Sequence, residues 1–244
     1  MFGRMLSNLF GSMTPTQRAA AARTRGNPLA EYFRTNRGRA IHKWHHYFEI
    51  YHRHFGRFRE RSPVVLEVGL YHGGSLEMWR HYFGPGAQIV GIDIDPRCRE
   101  FADEDITVLI GDQADRAFLA QVRERFPRLD IVIDDGGHRM EQQIATFEEL
   151  FAHVQPCGVY LCEDMHTSLW PDFGGGFRRE GTFLEYSKAL IDRLYAWYSK
   201  EPERLAVDPF TQSTHGIHFY DSVVVIEKRP ISQPHHTATG KLSF

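Results

Sequence analysis

The sequence predicts an α/β fold: a seven-stranded, mostly parallel sheet with helices on both faces and an antiparallel hairpin at its end. Three observations predict it. From residue 63 onward, short β-branched runs alternate with helical patterns at the spacing of βαβ units. A glycine-rich turn, Glu67-Val68-Gly69-Leu70-Tyr71-His72-Gly73-Gly74-Ser75, leaves the first run and opens a helix. Near the end, residues 217–220 and 223–227 read as two strands separated only by Asp221-Ser222, a link too short for a crossover helix.

In chain order, Pro63 to Gly69 is a buried strand and Gly74 to Phe83 a helix. Gln88 to Asp93 is the second strand and Ile106 to Ile110 a short third. Ala114 to Phe126 shows a charged and an apolar face, the mark of a surface helix. Asp130 to Asp135 is the fourth strand, Met140 to His153 a helix, and Val159 to Asp164 the fifth strand; Thr182 to Trp197 is a longer helix before the hairpin. Residues 1–60 are expected to form an arm and cap helices, 61–230 the core domain, and 231–244 a polar, mobile tail. Met1 to Gly26 reads as an amphipathic arm, without the continuous apolar core of a signal peptide.

Composition narrows the class of function. The 244 residues carry a net charge of −2, with 42% hydrophobic and 25% charged, so bulk electrostatics offers nothing for nucleic acid or a membrane surface. Local arginine runs at 34–39 and 57–61 read as solvated surface. The three cysteines form no CxxC pair and no even framework, which points to reduced thiols and a cytoplasmic location. No apolar run approaches the roughly 18 residues of a membrane helix.

The turn and the strand that follows it suggest a nucleoside cofactor. Glycines let the backbone approach a ligand closely, and the opening of a helix presents free amides. The spacing is not GxGxxG, and Glu67 would repel a diphosphate; an acid near the ammonium of a methionine moiety makes better electrostatic sense and points to S-adenosylmethionine. Glu67, Gly69, Tyr71 and Ser75 are the candidate contacts from the turn. Asp93, with Asp95 second, sits where a carboxylate accepts from ribose hydroxyls, one of the two being a helix cap. Asp112 and Gln113 follow the third strand and can meet an adenine amino group, although Asp112 fits an N-cap equally well.

Ile131-Val132-Ile133-Asp134-Asp135-Gly136-Gly137-His138 poses the central question, because adjacent carboxylates at a buried strand end repel. Glu163-Asp164 ends the fifth strand, its neighbour in a doubly wound sheet, so two acidic pairs converge on one crevice. A hard divalent cation, Mg²⁺ or Mn²⁺, resolves that repulsion. Alternation along a strand sends Asp134 and Asp135 to opposite sides, so one of them is not a ligand; Asp134 is grouped with the cofactor contacts. An ion pair with Arg139 or Arg178 is the plain alternative for any one carboxylate. His138 is the first candidate base and His166 the second. His45, His46, His52 and His54 are expected on helix surfaces or packed. Trp170, Phe173 and Gly174-Gly175-Gly176 read as an aromatic lid or a hydrophobic plug. Three rivals remain open: an NAD-linked oxidoreductase, a metal-dependent hydroxylase with His166 in a facial triad, and a non-catalytic nucleotide-binding protein.

Taken together, Glu67–Ser75, Gly91-Ile92-Asp93-Ile94-Asp95, Gly111-Asp112-Gln113, Asp134–His138 and Glu163-Asp164-Met165-His166-Thr167-Ser168 resemble the macrocin and mycinamicin type of sugar O-methyltransferases, including bacterial rhamnosyl and mannosyl O-methyltransferases. The resemblance covers about residues 40–229 and implies the Rossmann-like class I methyltransferase fold. It implies that Asp135, Glu163 and Asp164 hold Mg²⁺ and that His138 is the base acting on a glycoside or oligosaccharide hydroxyl. Gly137 stands where the family loop has serine. Residues 27–60 are expected either to shape the acceptor pocket or to form the contact of a homodimer.

Overall fold

The computed structural model describes residues 26–241 and 243–244; the expected amphipathic arm lies almost wholly outside them. The sheet has seven strands: β1 (Val64–Val68), β2 (Gln88–Asp93), β3 (Ile106–Ile110), β4 (Leu129–Asp134), β5 (Val154–Cys162), β6 (Thr214–Tyr220) and β7 (Val223–Lys228). Their order is β3-β2-β1-β4-β5-β7-β6. β1 to β5 pair in parallel, whereas β7 runs antiparallel to both β5 and β6. The order reverses between β1 and β4, and in open α/β sheets the crevice at that switch point, beyond the strands' carboxyl ends, takes the ligand.

Strand alternation divides the core in two. Val65, Ile89, Ile131, Ile133, Val159, Leu161, Val223 and Val225 bury one face. That face is covered by α1 (Pro28–Thr35), α2 (Tyr47–Phe55) and α3 (Gly74–Phe83), whose Tyr51, Phe55, Trp79 and Phe83 pack ring against ring. Leu66, Val90, Val132, Tyr160, Val224 and Ile226 bury the other face beneath α4 (Arg116–Arg125), α5 (Met140–Leu150) and α6 (Phe183–Leu194). A short α7 (Pro209–Ser213), started by an Asp208 capping box, leads into β6.

Two boundaries differ from expectation for local reasons. β5 begins at Val154 rather than Val159, because Val154 pairs with Leu129 ahead of a register shift. The shift spans Pro156-Cys157-Gly158, with Cys157 at φ 70°, and hides the alternation in sequence. α4 begins at Arg116 because Asp115, not Asp112, caps it, accepting from the amides of Ala117 and Phe118. The tail from residue 229 carries no helix or strand among the described residues.

Candidate active site

A cleft of about 360 Å³ opens at the carboxyl ends of β1, β2, β4 and β5. Its glycine-rich floor is set by backbone strain. Gly69 stands at φ +88°, and a Cβ there would meet the Asp135 carbonyl oxygen at 2.0 Å, so only glycine fits. Tyr71 (φ 51°) and Gly73 (φ 75°) complete the turn, and α3 starts behind it. Asp93 accepts from the Leu70 amide on Oδ2 and the Asp95 amide on Oδ1, both at 2.8 Å. Each oxygen keeps a second lone pair, and the residue lines the cleft where two ribose hydroxyls would be held.

The expected cofactor residues fall into two groups. Gly69, Tyr71, Asp93, Asp112 and Gln113 line the cleft. Glu67, Ser75, Asp95 and Asp134 do not. Ser75 donates to Glu67 Oε2 at 2.7 Å behind the turn, and burial raises the Glu67 pKa. Asp95 caps the short 3-10 helix Pro96–Phe101 and pairs with Arg97, the helix-start role expected of one of the two aspartates. Asp134 is fully buried, accepting from Gln113 Nε2 at 2.9 Å and from Tyr160 Oη at 3.3 Å. Burial pushes its pKa up to about 6.

Of the two acidic pairs, Asp135, Glu163 and Asp164 converge, each just past a strand end, while Asp134 turns away into the interior. Asp135 follows β4, and Glu163-Asp164 follow β5, with Asp164 in the left-handed region at φ 52°. The cation that meets them is neither Arg139 nor Arg178. Arg139 pairs with Glu141, while Lys43, from the loop between α1 and α2, enters the cluster. Its ammonium donates to Asp135 Oδ2, lies 3.0 Å from both Glu163 oxygens and 3.7 Å from Glu67 Oε1. Burial alone would strip its proton, but the three surrounding carboxylates outweigh that, and the Lys43 pKa stands well above the usual lysine value. Tyr51 Oη donates to Glu163 Oε1 at 2.6 Å, and Tyr47 Oη to Asp164 Oδ1 at 2.7 Å. From sequence, Lys43 and Tyr47, with Trp44 and His45, are expected to shape an acceptor pocket or a dimer contact rather than to meet these acids, and nothing marks Tyr51. The available signal was spacing: Lys43, Tyr47 and Tyr51 recur every four residues, one face of a helix and its approach.

His138 stands at φ 54° with Nε2 3.4 Å from Asp164 Oδ2 and 4.0 Å from Asp135 Oδ1. One donor atom from each of these three residues lies within 4.8 Å of the others. Gly137 does not leave their loop slack, since its amide donates to Gln113 Oε1 at 2.8 Å. His166 is placed differently. Its Nδ1 is engaged by the Ser222 hydroxyl and its ring is set between Trp44 and Trp170, outside the residues that line the cleft.

These residues fit a divalent cation. Three carboxylates (Glu67, Asp135, Glu163) surround one ammonium and Asp164 stands beside His138; burial, with repulsion from Asp135, raises the Glu67 and Glu163 pKa, the mark of an acidic cluster short of cations. Asp135, Asp164 and Glu163 would hold the ion, with Lys43 yielding oxygens to it.

Comparison with known proteins identifies the family. No family model matches the chain. The demethylmacrocin O-methyltransferase of Streptomyces fradiae is 37% identical over 201 residues, covering 76% of this chain and 50% of that protein. The mycinamicin VI 2''-O-methyltransferase of Micromonospora griseorubida is likewise 37% identical over 201 residues, covering 75% of this chain and 48% of that protein. The crystal structure of the MycE methyltransferase of the mycinamycin pathway, in complex with Mg and SAH, superposes with a TM-score of 0.74 at 34% identity, covering 84% of this chain and 54% of that one. The chain thus spans about half the length of the curated relatives it matches. Over that shared span it has the class I methyltransferase fold and belongs to the macrocin and mycinamicin type of sugar O-methyltransferases.

Proposed function

We propose that this protein transfers a methyl group from S-adenosylmethionine to a sugar hydroxyl of a glycoside, glycolipid or polysaccharide, with Mg²⁺ as cofactor. The observation that carries the reading is the meeting, in one cleft, of the Asp93 carboxylate at the end of β2 with the acids at the ends of β4 and β5 and His138 between them. The family relationship supports it, as does a relative's crystal structure described as a complex with Mg, SAH and mycinamycin VI. Neither rival enzyme class is favoured. The antiparallel β7 differs from the 3-2-1-4-5-6 dinucleotide-binding order, and His166 Nδ1, although 4.0 Å from Asp164 Oδ1, is engaged by the Ser222 hydroxyl and the residue does not line the cleft.

Asp93 would orient the ribose of the bound cofactor and Asp112 would meet its adenine side, whereas the Gln113 amide is committed to Asp134, Thr146 and the Gly137 amide and shapes the cleft wall instead. When bound, S-adenosylmethionine supplies an electrophilic methyl and Mg²⁺ supplies Lewis acidity to the hydroxyl it touches. His138 receives the hydroxyl proton on Nε2 as the new bond forms, and Asp164, 3.4 Å away, stabilises the imidazolium that results. Tyr47 and Tyr51 stay protonated, because burial raises both phenols, so they remain donors that fix Asp164 and Glu163. Trp44 and Tyr71, about half and two-thirds exposed at the rim, offer apolar faces to a sugar ring.

The test is methyl transfer to a panel of rhamnosides, mannosides and glycosylated polyketides, with and without EDTA, alongside calorimetric titration of S-adenosylmethionine and NADH. Expected are binding of the first ligand alone and turnover with at least one glycoside that stops in EDTA and returns with Mg²⁺. Full activity in EDTA, or tight binding of NADH, overturns the reading.

A further inference from the structure

A second group of metal-ligating side chains lies where the end of α2 meets the β6–β7 hairpin, and methyl transfer makes no use of it. His54, in the last turn of α2, is 3% exposed. Its Nε2 is 2.9 Å from the Tyr220 hydroxyl and its Nδ1 3.5 Å from Glu227 Oε1. From β6, His218 Nε2 is 3.1 Å from Glu227 Oε2, and the two imidazole rings lie 4.8 Å apart. One donor atom from each residue lies within 4.8 Å of the other two. We propose that His54, His218 and Glu227 form a binding site for a borderline divalent transition-metal ion of the zinc class, separate from the carboxylate cluster.

Geometry and donor chemistry agree. Bonds of about 2.0–2.1 Å in tetrahedral array set ligand atoms about 3.4 Å apart; His54 Nδ1 is 3.5 Å from Glu227 Oε1 and His218 Nε2 3.1 Å from Glu227 Oε2, so the histidines flank the two oxygens of one carboxylate at near that spacing. The Tyr220 hydroxyl on the remaining nitrogen of His54 orients its ring, as the outer partner of a ligating histidine does. Two imidazoles and one carboxylate suit Zn²⁺, Co²⁺ or Ni²⁺, whereas Mg²⁺ prefers the all-oxygen cluster. The His218 side chain is 39% exposed, which gives an ion a route in and leaves a position for water. Arg57 is the competitor: its Nη1 lies 2.6 Å from Glu227 Oε1 and its charge helps hold the Glu227 pKa down to about 2, but the arginine side chain is 44% exposed and free to swing into solvent when an ion takes the carboxylate. An ion here ties α2 to the hairpin. The same helix carries Tyr47 and Tyr51, which hold Asp164 and Glu163, so occupancy stiffens the helix that braces the cleft.

The probe is Co²⁺, titrated into the full chain with Mg²⁺ in excess and followed by visible absorption. Expected is one equivalent bound with bands stronger than those of aqueous Co²⁺ and displaced by one equivalent of Zn²⁺. His218→Ala, at a half-exposed position that folding tolerates, is expected to weaken binding at least about tenfold. Arg57→Ala should tighten it by releasing Glu227, and Asp164→Asn should leave it unchanged. The proposal is overturned if no such bands form, if they survive His218→Ala at the same affinity, or if Asp164→Asn abolishes them.

Discussion

Lys43→Met removes the ammonium while keeping an unbranched side chain of similar length. In the metal-free protein it leaves Asp135, Glu163 and Glu67 facing one another with no cation, where Lys43 Nζ had stood 3.0 Å from both Glu163 oxygens and 3.7 Å from Glu67. Removing one partner of a buried ion pair costs about 3–5 kcal/mol. For a chain of this size each kcal/mol shifts Tm by about 2–4 °C, so calorimetry in EDTA should show a loss of roughly 6–20 °C. Mg²⁺ binding should change in the opposite direction. The ion no longer displaces an ammonium from Asp135 and Glu163, so the same free energy returns as affinity, a gain of about 100-fold or more by Mg²⁺ titration. The variant should therefore recover most of its lost stability at saturating Mg²⁺. A metal-free variant as stable as the parent, or one that binds Mg²⁺ no more tightly, would refute the view of Lys43 as the counter-ion that holds the cation's place.

Three further outcomes follow from the same geometry. His138→Ala should retain S-adenosylmethionine affinity by calorimetry while kcat falls about 10²–10⁴-fold; retention of most turnover would pass the role of base to another group. Gly69→Ala places a Cβ 2.0 Å from the Asp135 carbonyl at a φ of +88°, so it should abolish cofactor binding or soluble expression, and wild-type affinity would contradict the cradle. Asp134→Asn tests buried charge. The folded-state pKa of about 6 lies above the unfolded value of about 3.9, so ionisation of Asp134 destabilises the fold as pH rises from about 4 to 6, by at most about 3 kcal/mol. Denaturant titrations in EDTA should show the wild type losing stability over that window and the asparagine variant not; parallel profiles would count against it.

Local chemistry fixed much of this protein before any tertiary contact was considered. Continuous apolar runs between helical patterns specify strands buried on both faces, and Asp221-Ser222 can join only antiparallel neighbours, so the sheet and its hairpin were legible from residues alone. Glycine at position 69 and the acids after β2, β4 and β5 announced the cleft because each sits at a strand end, whose location is a matter of pattern. What periodicity does not encode is the partner of a polar group. Glu67 and Asp134 are acids like Asp93, but the pleat turns them into the interior, where Ser75 meets one oxygen of Glu67 and Gln113 and Tyr160 meet Asp134. Lys43, Tyr47 and Tyr51 reach Asp135, Asp164 and Glu163 only because α2 packs over the first face of the sheet, bringing together residues about a hundred positions apart in the chain. His54, His218 and Glu227 likewise meet only where that helix crosses the hairpin, since they lie on three separate elements. Sequence determined which groups stand at strand ends; the packing of helix on sheet decided which charges meet.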